Sequence, residues 1–176
     1  MRALEIFDNR IAPYEVNLCR LCNQIENPRV LALFKVVSWL GDWYLWPALA
    51  LGIFLVDGTA AYPAFQHWFF FSFVTLAVYK GLKNGLARER PCVKYVGSIS
   101  ALVAPLDRYS FPSGHTLHAV AFTMVLVQFY PLLIWGLLPF TVLVAFSRVI
   151  LGVHYPSDVI AGAALGALLA TLSFAV

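Results

Sequence analysis

From Lys35 onward the chain is a series of long apolar stretches separated by single charged residues. Before Lys35, apolar and charged positions alternate at short intervals. A membrane-spanning helix requires about 20 mostly apolar residues. The gaps between charges supply such lengths. One runs from Lys35 to Asp57, interrupted only by Asp42, and a second, rich in Phe and Trp, runs from Asp57 to Lys80. Arg108 to Arg148 holds no Asp, Glu, Lys or Arg and is long enough for two spans, with Pro131, Gly136 and Pro139 marking the turn between them. The stretch from Asp158 to the C-terminus supplies the last. The pattern predicts spans near 37–56, 64–82, 115–131, 134–151 and 158–175. The expected fold is therefore all-α, a polytopic membrane helical bundle of about five transmembrane helices in a single domain, 1–176, with residues 1–35 as an N-terminal amphipathic segment.

Within that first segment Leu4, Ile6, Phe7, Ile11, Val16, Leu18, Leu21 and Ile25 are interleaved with charge, which fits a helix lying in the membrane interface or a short soluble cap. It lacks the uninterrupted apolar run of a secretory signal. Trp39, Trp43, Tyr44 and Trp46 cluster as an interfacial aromatic belt would at one end of the first span. Gly162 and Gly166 form a Gly-xxx-Gly pair suited to close helix packing.

Composition agrees: 61% of residues are hydrophobic and 12% charged, against roughly 25% charged in soluble domains. The formal net charge of +3 and the lack of a basic tract argue against a nucleic-acid partner. Cys19 and Cys22 have CxxC spacing, but one such pair is weak evidence for zinc or redox chemistry.

With five crossings, the 83–114 loop and the 152–157 turn reach the same membrane face, and the residues least suited to a membrane sit in or beside these connections. His154 and Asp158 are four apart with Pro156 between, so a helix starting near Pro156 lets the carboxylate reach back and fix the imidazole as a nucleophile. Ser113 and Gly114 open a helix whose backbone N–H groups suit an anion, and His115 beside them is placed to protonate a leaving oxygen. Lys83, Arg88 and Arg90 add positive charge, and Arg148 ends the fourth span. Taken singly, these are a capped turn, a juxtamembrane basic patch and two helix-end charges; together they match the needs of phosphoryl transfer.

Lys83 with six residues before Arg90-Pro91, then Pro112-Ser113-Gly114-His115, then Ser147-Arg148 with five residues before His154 and three before Asp158, resembles the three signatures of the type 2 phosphatidic acid phosphatase family. The match covers residues 83–158. The resemblance implies an acid phosphatase/vanadium haloperoxidase-like core and catalytic roles for three residues. His154 would form a phosphohistidine, Asp158 would orient it and His115 would protonate the leaving group. It also implies phosphate binding by Lys83, Arg90, Arg148, Ser113 and the Gly114 N–H, with no metal and no cofactor. Ser147 belongs to the motif with a less direct role; Arg88, Lys94, Asp107, Arg108 and Tyr109 are candidates for head-group contact, and His118 for packing or a hydrogen bond within its helix. The soluble haloperoxidases share these motifs, but the hydropathy here excludes that reading.

The expected partners are a lipid phosphate substrate and membrane lipids, with no obligate protein partner. By family resemblance the site would face the periplasm or cell exterior of a bacterial inner membrane, although the cations of the 83–114 loop oppose this under the positive-inside rule. Short loops favour a small phosphate or diphosphate head on a long tail, with undecaprenyl diphosphate the first choice. Phosphatidylglycerophosphate, phosphatidic acid and lipid A phosphates are alternatives, as is phosphotransfer to an acceptor other than water.

Overall fold

The computed structural model describes residues 2–175. The side chains of residues 2–11 and of Trp43 lie outside the described set, and with them the pattern positions Leu4, Ile6, Phe7 and Ile11. Among the described residues eight α-helices follow one another: α1 (Arg2–Asn23), α2 (Pro28–Trp39), α3 (Leu45–Asp57), α4 (Tyr62–Leu86), the short α5 (Pro91–Lys94), α6 (Gly114–Phe129), α7 (Ile134–Ile150) and α8 (Pro156–Ser173). Among the described residues, β pairing is limited to one isolated bridge, Glu89 with Tyr109.

Among the described residues, three helical stretches are long and apolar enough to cross a membrane: Leu45–Leu86, Pro131–Ile150 and Pro156–Ser173. The first contains a reversal at Gly58, where a positive φ of 57° ends α3. Trp46 before the reversal and Trp68 after it both pack edge-on against Phe122 of α6, so α3 and α4 run as two antiparallel legs. With the shorter apolar helix α6, this gives five legs, α3, α4, α6, α7 and α8. Leu55, Phe70, Leu132 and Trp135 are more than half exposed, as side chains facing lipid are.

The helix that leads into the first leg begins earlier than hydropathy suggests. Asn27 accepts bonds from the Arg29 and Val30 amides, and Pro28 occupies the first turn, so helix starts at Pro28 and not near residue 37. Lys35 ends the apolar stretch in sequence, yet it rides on an exposed helix face. Between α2 and α3, residues Leu40–Tyr44 form a π-helical turn. The expected aromatic belt is also corrected. Trp46 is fully buried against Phe122 and Phe140, while Trp39 and Tyr44 stack on each other at the surface. Proximity in sequence grouped these rings, but the helix turns them to opposite faces.

The central helix is α6. Leu117, Ala119, Ala121, Phe122 and Val125 are wholly buried. Against it lies α8, approaching through Gly162 and Gly166: a Cβ at Gly162 would sit 2.5 Å from the Ser113 carbonyl oxygen, and one at Gly166 2.5 Å from that of Leu117. The Gly-xxx-Gly pair thus sets the distance between the helix that starts at Gly114 and the helix that carries Asp158. A Thr123–Thr141 hydroxyl bond of 2.7 Å joins α6 to α7.

Helix α1 is docked, not merely laid on a surface. Ala12, Glu15, Val16 and Cys19 are buried at helical spacing, and the Cys19 thiol approaches the His154 carbonyl oxygen at 3.8 Å. Asn23 brackets Ser100, accepting from its amide and donating to its carbonyl, and donates to the Ile150 carbonyl. Tyr14, Leu18 and Leu21 remain on the outer face.

Candidate active site

The residues named from sequence meet where α4, α6, α7 and α8 end or begin. Lys83 is in the last turn of α4 and is 4% exposed; its Nζ lies 2.7 Å from Asp107 Oδ2 and donates to Tyr79 Oη at 2.6 Å. Arg90 precedes Pro91 at the start of α5. Its Nε donates to the Asp107 carbonyl at 2.8 Å and its Nη1 to the Val153 carbonyl at 2.7 Å, and Nη1 stands 3.2 Å from His154 Nε2. Arg148 closes α7, is 2% exposed and donates to the Ser38 hydroxyl. Its carbonyl accepts from the His154 amide at 3.1 Å, so the arginine's own backbone anchors the histidine.

His154 Nδ1 lies 3.5 Å from Asp158 Oδ2. Asp158 is held on both oxygens. Oδ2 accepts from the Tyr155 amide at 2.9 Å, closing the cap of α8, and Oδ1 accepts from Arg88 at 2.6 Å. Burial, followed by Arg90, Arg148 and Lys83, holds the His154 imidazole well below its ordinary pKa of 6.5, so the ring is neutral at neutral pH with Nε2 turned to the cations. Burial raises Asp107, but bonds from Lys83 and Tyr79 outweigh it and keep the carboxyl below its usual range.

Two expectations need correction. The Ser113 amide donates to the Asp158 carbonyl at 3.0 Å and its hydroxyl pairs with Thr116 at 3.0 Å, so its N–H ties α6 to α8 and does not face an anion. Arg88 turns inward to Asp158, Ser157 and Glu15 and away from any head group. Arg108 and Lys94 lie beside the rings of Tyr109 and Tyr95. Ser147 bonds back to Val144 within its helix. His118 is buried and stacks on Phe122. Cys19 is sealed, its thiol pushed up to about 12 by burial and then by Glu15, which removes the CxxC pair from consideration as reactive sulfur.

A cavity of about 240 Å³ opens beside this cluster, lined by Gly41 and Asp42, by Leu76, Tyr79 and Lys80 of α4, by Leu106 and Asp107 of the following loop, and by Gly114, His115 and His118 of α6. His115 Nε2 lies against the Asp42 carboxylate. Sequence reasoning passed over Asp42 as an interruption, although a lone carboxylate inside an apolar span is itself a functional signal. It sits in the π-helical turn, a distortion that recurs at functional sites. Glu15, by contrast, had no such signal, being one charge among many in the N-terminal segment. Among the described residues no group of three or more His, Cys, Asp or Glu is arranged to hold a metal ion.

A family model described as the PAP2 superfamily matches residues 66–176. The chain belongs to the PAP2 superfamily. Its PAP2 relatives include an undecaprenyl-diphosphatase of Sulfolobus acidocaldarius, 31% identical over 91% of this chain and 77% of that protein. A decaprenylphosphoryl-5-phosphoribose phosphatase of Mycobacterium tuberculosis is 32% identical over 81% of this chain and 78% of its own length. Two solved PAP2-type structures share the fold at 24% identity. The transmembrane phosphatidylglycerolphosphate phosphatase from Bacillus subtilis has a TM-score of 0.75, covering 98% of this chain and 89% of that one. Aquifex aeolicus LpxE has a TM-score of 0.70, covering 93% and 96%. This PAP2 chain is thus an integral-membrane phosphatase, a hydrolase of phosphoric esters whose relatives act on lipid phosphates.

Proposed function

We propose that the chain, as one catalytic domain, hydrolyses undecaprenyl diphosphate or a closely similar polyprenyl diphosphate through a phosphohistidine at His154. The observation that carries the mechanism is the two-sided environment of that imidazole, with Asp158 3.5 Å from Nδ1 and the Arg90 guanidinium 3.2 Å from Nε2. Nε2 attacks the terminal phosphorus, forming an N–P bond as the P–O bond to the leaving group breaks. His115 gives its proton to the departing oxygen. Lys83, Arg90 and Arg148 stabilise the charge on the phosphoryl oxygens, with the start of α6 at Ser113 and Gly114 closing the site. Water then attacks phosphorus, His115 takes its proton, and inorganic phosphate leaves His154.

The substrate reading rests on the cavity and the relatives. The cavity lies between Asp42 and α4, with the exposed Lys80 and Leu106 among its lining residues, which suits a small charged head whose tail leaves into lipid. Two relatives matched over most of the chain are named for polyprenyl-linked phosphates. The site is proposed to face the exterior side of the cytoplasmic membrane. The deciding experiment is phosphate release by purified protein in detergent from undecaprenyl diphosphate, phosphatidylglycerophosphate, phosphatidic acid and a lipid A phosphate. The diphosphate should give the highest kcat/KM without an added acceptor; a higher value on a glycerolipid overturns the substrate, and phosphate release that requires an acceptor overturns hydrolysis. His154→Ala should abolish turnover on every substrate, and retained activity overturns the mechanism.

A further inference from the structure

Arg88 occupies the spacer between Lys83 and Arg90, where the family resemblance assigns it nothing. Its guanidinium is nonetheless buried and, among the described residues, it reaches Asp158, Ser157 and Glu15. Nη1 donates to Asp158 Oδ1 at 2.6 Å and to the Ser157 hydroxyl at 2.8 Å, and Nη2 donates to Glu15 Oε2 at 2.9 Å. Its plane lies over the Tyr155 ring, 4.0 Å from the centroid. Glu15 returns to the same helix start, its Oε1 accepting from the Ser157 amide at 2.7 Å. Glu15 is 5% exposed and Asp158 is fully buried.

Two carboxylates and one guanidinium therefore share a dry pocket behind the catalytic turn. A buried charge that lacks its partner is costly, so each member fixes the other two. Asp158 has no freedom to rotate: Arg88 grips one oxygen, the Tyr155 amide the other, and only the edge toward His154 Nδ1 is left. Arg88 by itself would cancel the Asp158 charge that must steady His154 as it becomes a cation. Glu15 supplies a second anion to the same guanidinium and leaves the triad with a net negative charge.

We infer that Glu15 and Arg88 are positioning residues that act on His154 through Asp158, which makes α1 part of the catalytic apparatus. This rests on the proposed roles of His154 and Asp158. Neither residue lines the cavity beside His115.

The test is a double-mutant cycle in detergent-solubilised, monodisperse protein, with phosphate release from undecaprenyl diphosphate as the assay. Glu15→Gln should lower kcat about tenfold, the scale of carboxylates that orient a histidine from behind, with KM within twofold. In an Asp158→Asn background the same change should cost little more, because its target is gone. Full kcat in Glu15→Gln overturns the inference. So do losses that multiply in the double variant, and a loss confined to KM. If Glu15→Gln is not recovered folded, Arg88→Lys, which keeps the buried charge but cannot bridge two carboxylates, carries the same cycle and the same expected result. An undiminished rate in Asp158→Asn alone refutes the underlying reading of the site, an outcome separate from failure of the Glu15 step.

Discussion

Each of the two histidines proposed for catalysis has its own carboxylate, and the pairs are built differently. Asp158 reaches His154 from the first turn of the following helix, four residues away, while Asp42 reaches His115 from a different span. His115 feels the charges of Arg148 and Arg90, so an imidazolium there depends on Asp42 as its counter-charge. Asp42→Asn keeps the shape and removes that charge. On a lipid monophosphate such as phosphatidic acid, whose alkoxide leaving oxygen needs a proton, kcat should fall about 100-fold, the ordinary worth of a general acid. On a nitrophenyl phosphate, whose leaving group departs unprotonated, the fall should be small. Equal losses on both substrates would place Asp42 in phosphate binding instead. The residues carrying the three signatures were legible in sequence because their spacing is rigid within short segments. Glu15 was not, since it joins the site through tertiary contact from α1, whose own pattern says nothing about the site; Tyr79, one turn before Lys83 on α4, is hidden among other aromatic residues, and Asp42 carried a signal in its lone charge that only the contact with His115 makes specific.

Among the elements, the α6–α8 pair controls the geometry. Gly162 and Gly166 let the two backbones touch, and the Ser113 amide bonds the Asp158 carbonyl across the same seam. Gly166→Ala should push α8 outward by the bulk of one methyl against the Leu117 carbonyl, costing about 1–3 kcal/mol as overpacking does. A lowered midpoint of thermal unfolding in detergent checks this, and an unchanged midpoint would show that the seam can relax. Gly162→Ala meets the Ser113 carbonyl one turn nearer the catalytic groups, so it should lower kcat as well as stability. The helices themselves were legible from hydropathy to within a few residues for α4, α6, α7 and α8. The helix that leads into the first leg was not, because Asn27 and Pro28 start it among polar residues, and hydropathy registers apolar content without registering caps.

For the whole molecule, the charges converging on one buried imidazole couple pH to folding. His154 is faced by Lys83 from α4, Arg90 ahead of α5, His115 from α6, Arg148 from α7 and Asp158 from α8. Burial and the three cations keep its folded pKa well below 6.5, the value it regains on unfolding. Between those two values the unfolded chain binds the extra proton, so stability rises with pH there and falls as pH drops below about 6.5. Asp107 has the same sign. Its folded pKa lies below the ordinary 3.8, so its contribution is complete above that value and is lost only in stronger acid. Between pH 7.5 and 5 the histidine is therefore the group of these two that acts, with a slope of at most about 1.4 kcal/mol per pH unit for one proton. Thermal unfolding followed by tryptophan fluorescence should show a falling midpoint across this range, and His154→Gln, which cannot titrate, should reduce the slope by up to one proton's share. A wild-type slope in that variant would mean that the proton is taken up elsewhere. The energetic consequence is direct: burial and the neighbouring cations keep the proposed nucleophile neutral at neutral pH, and the same cations that would grip the phosphate make acid destabilising.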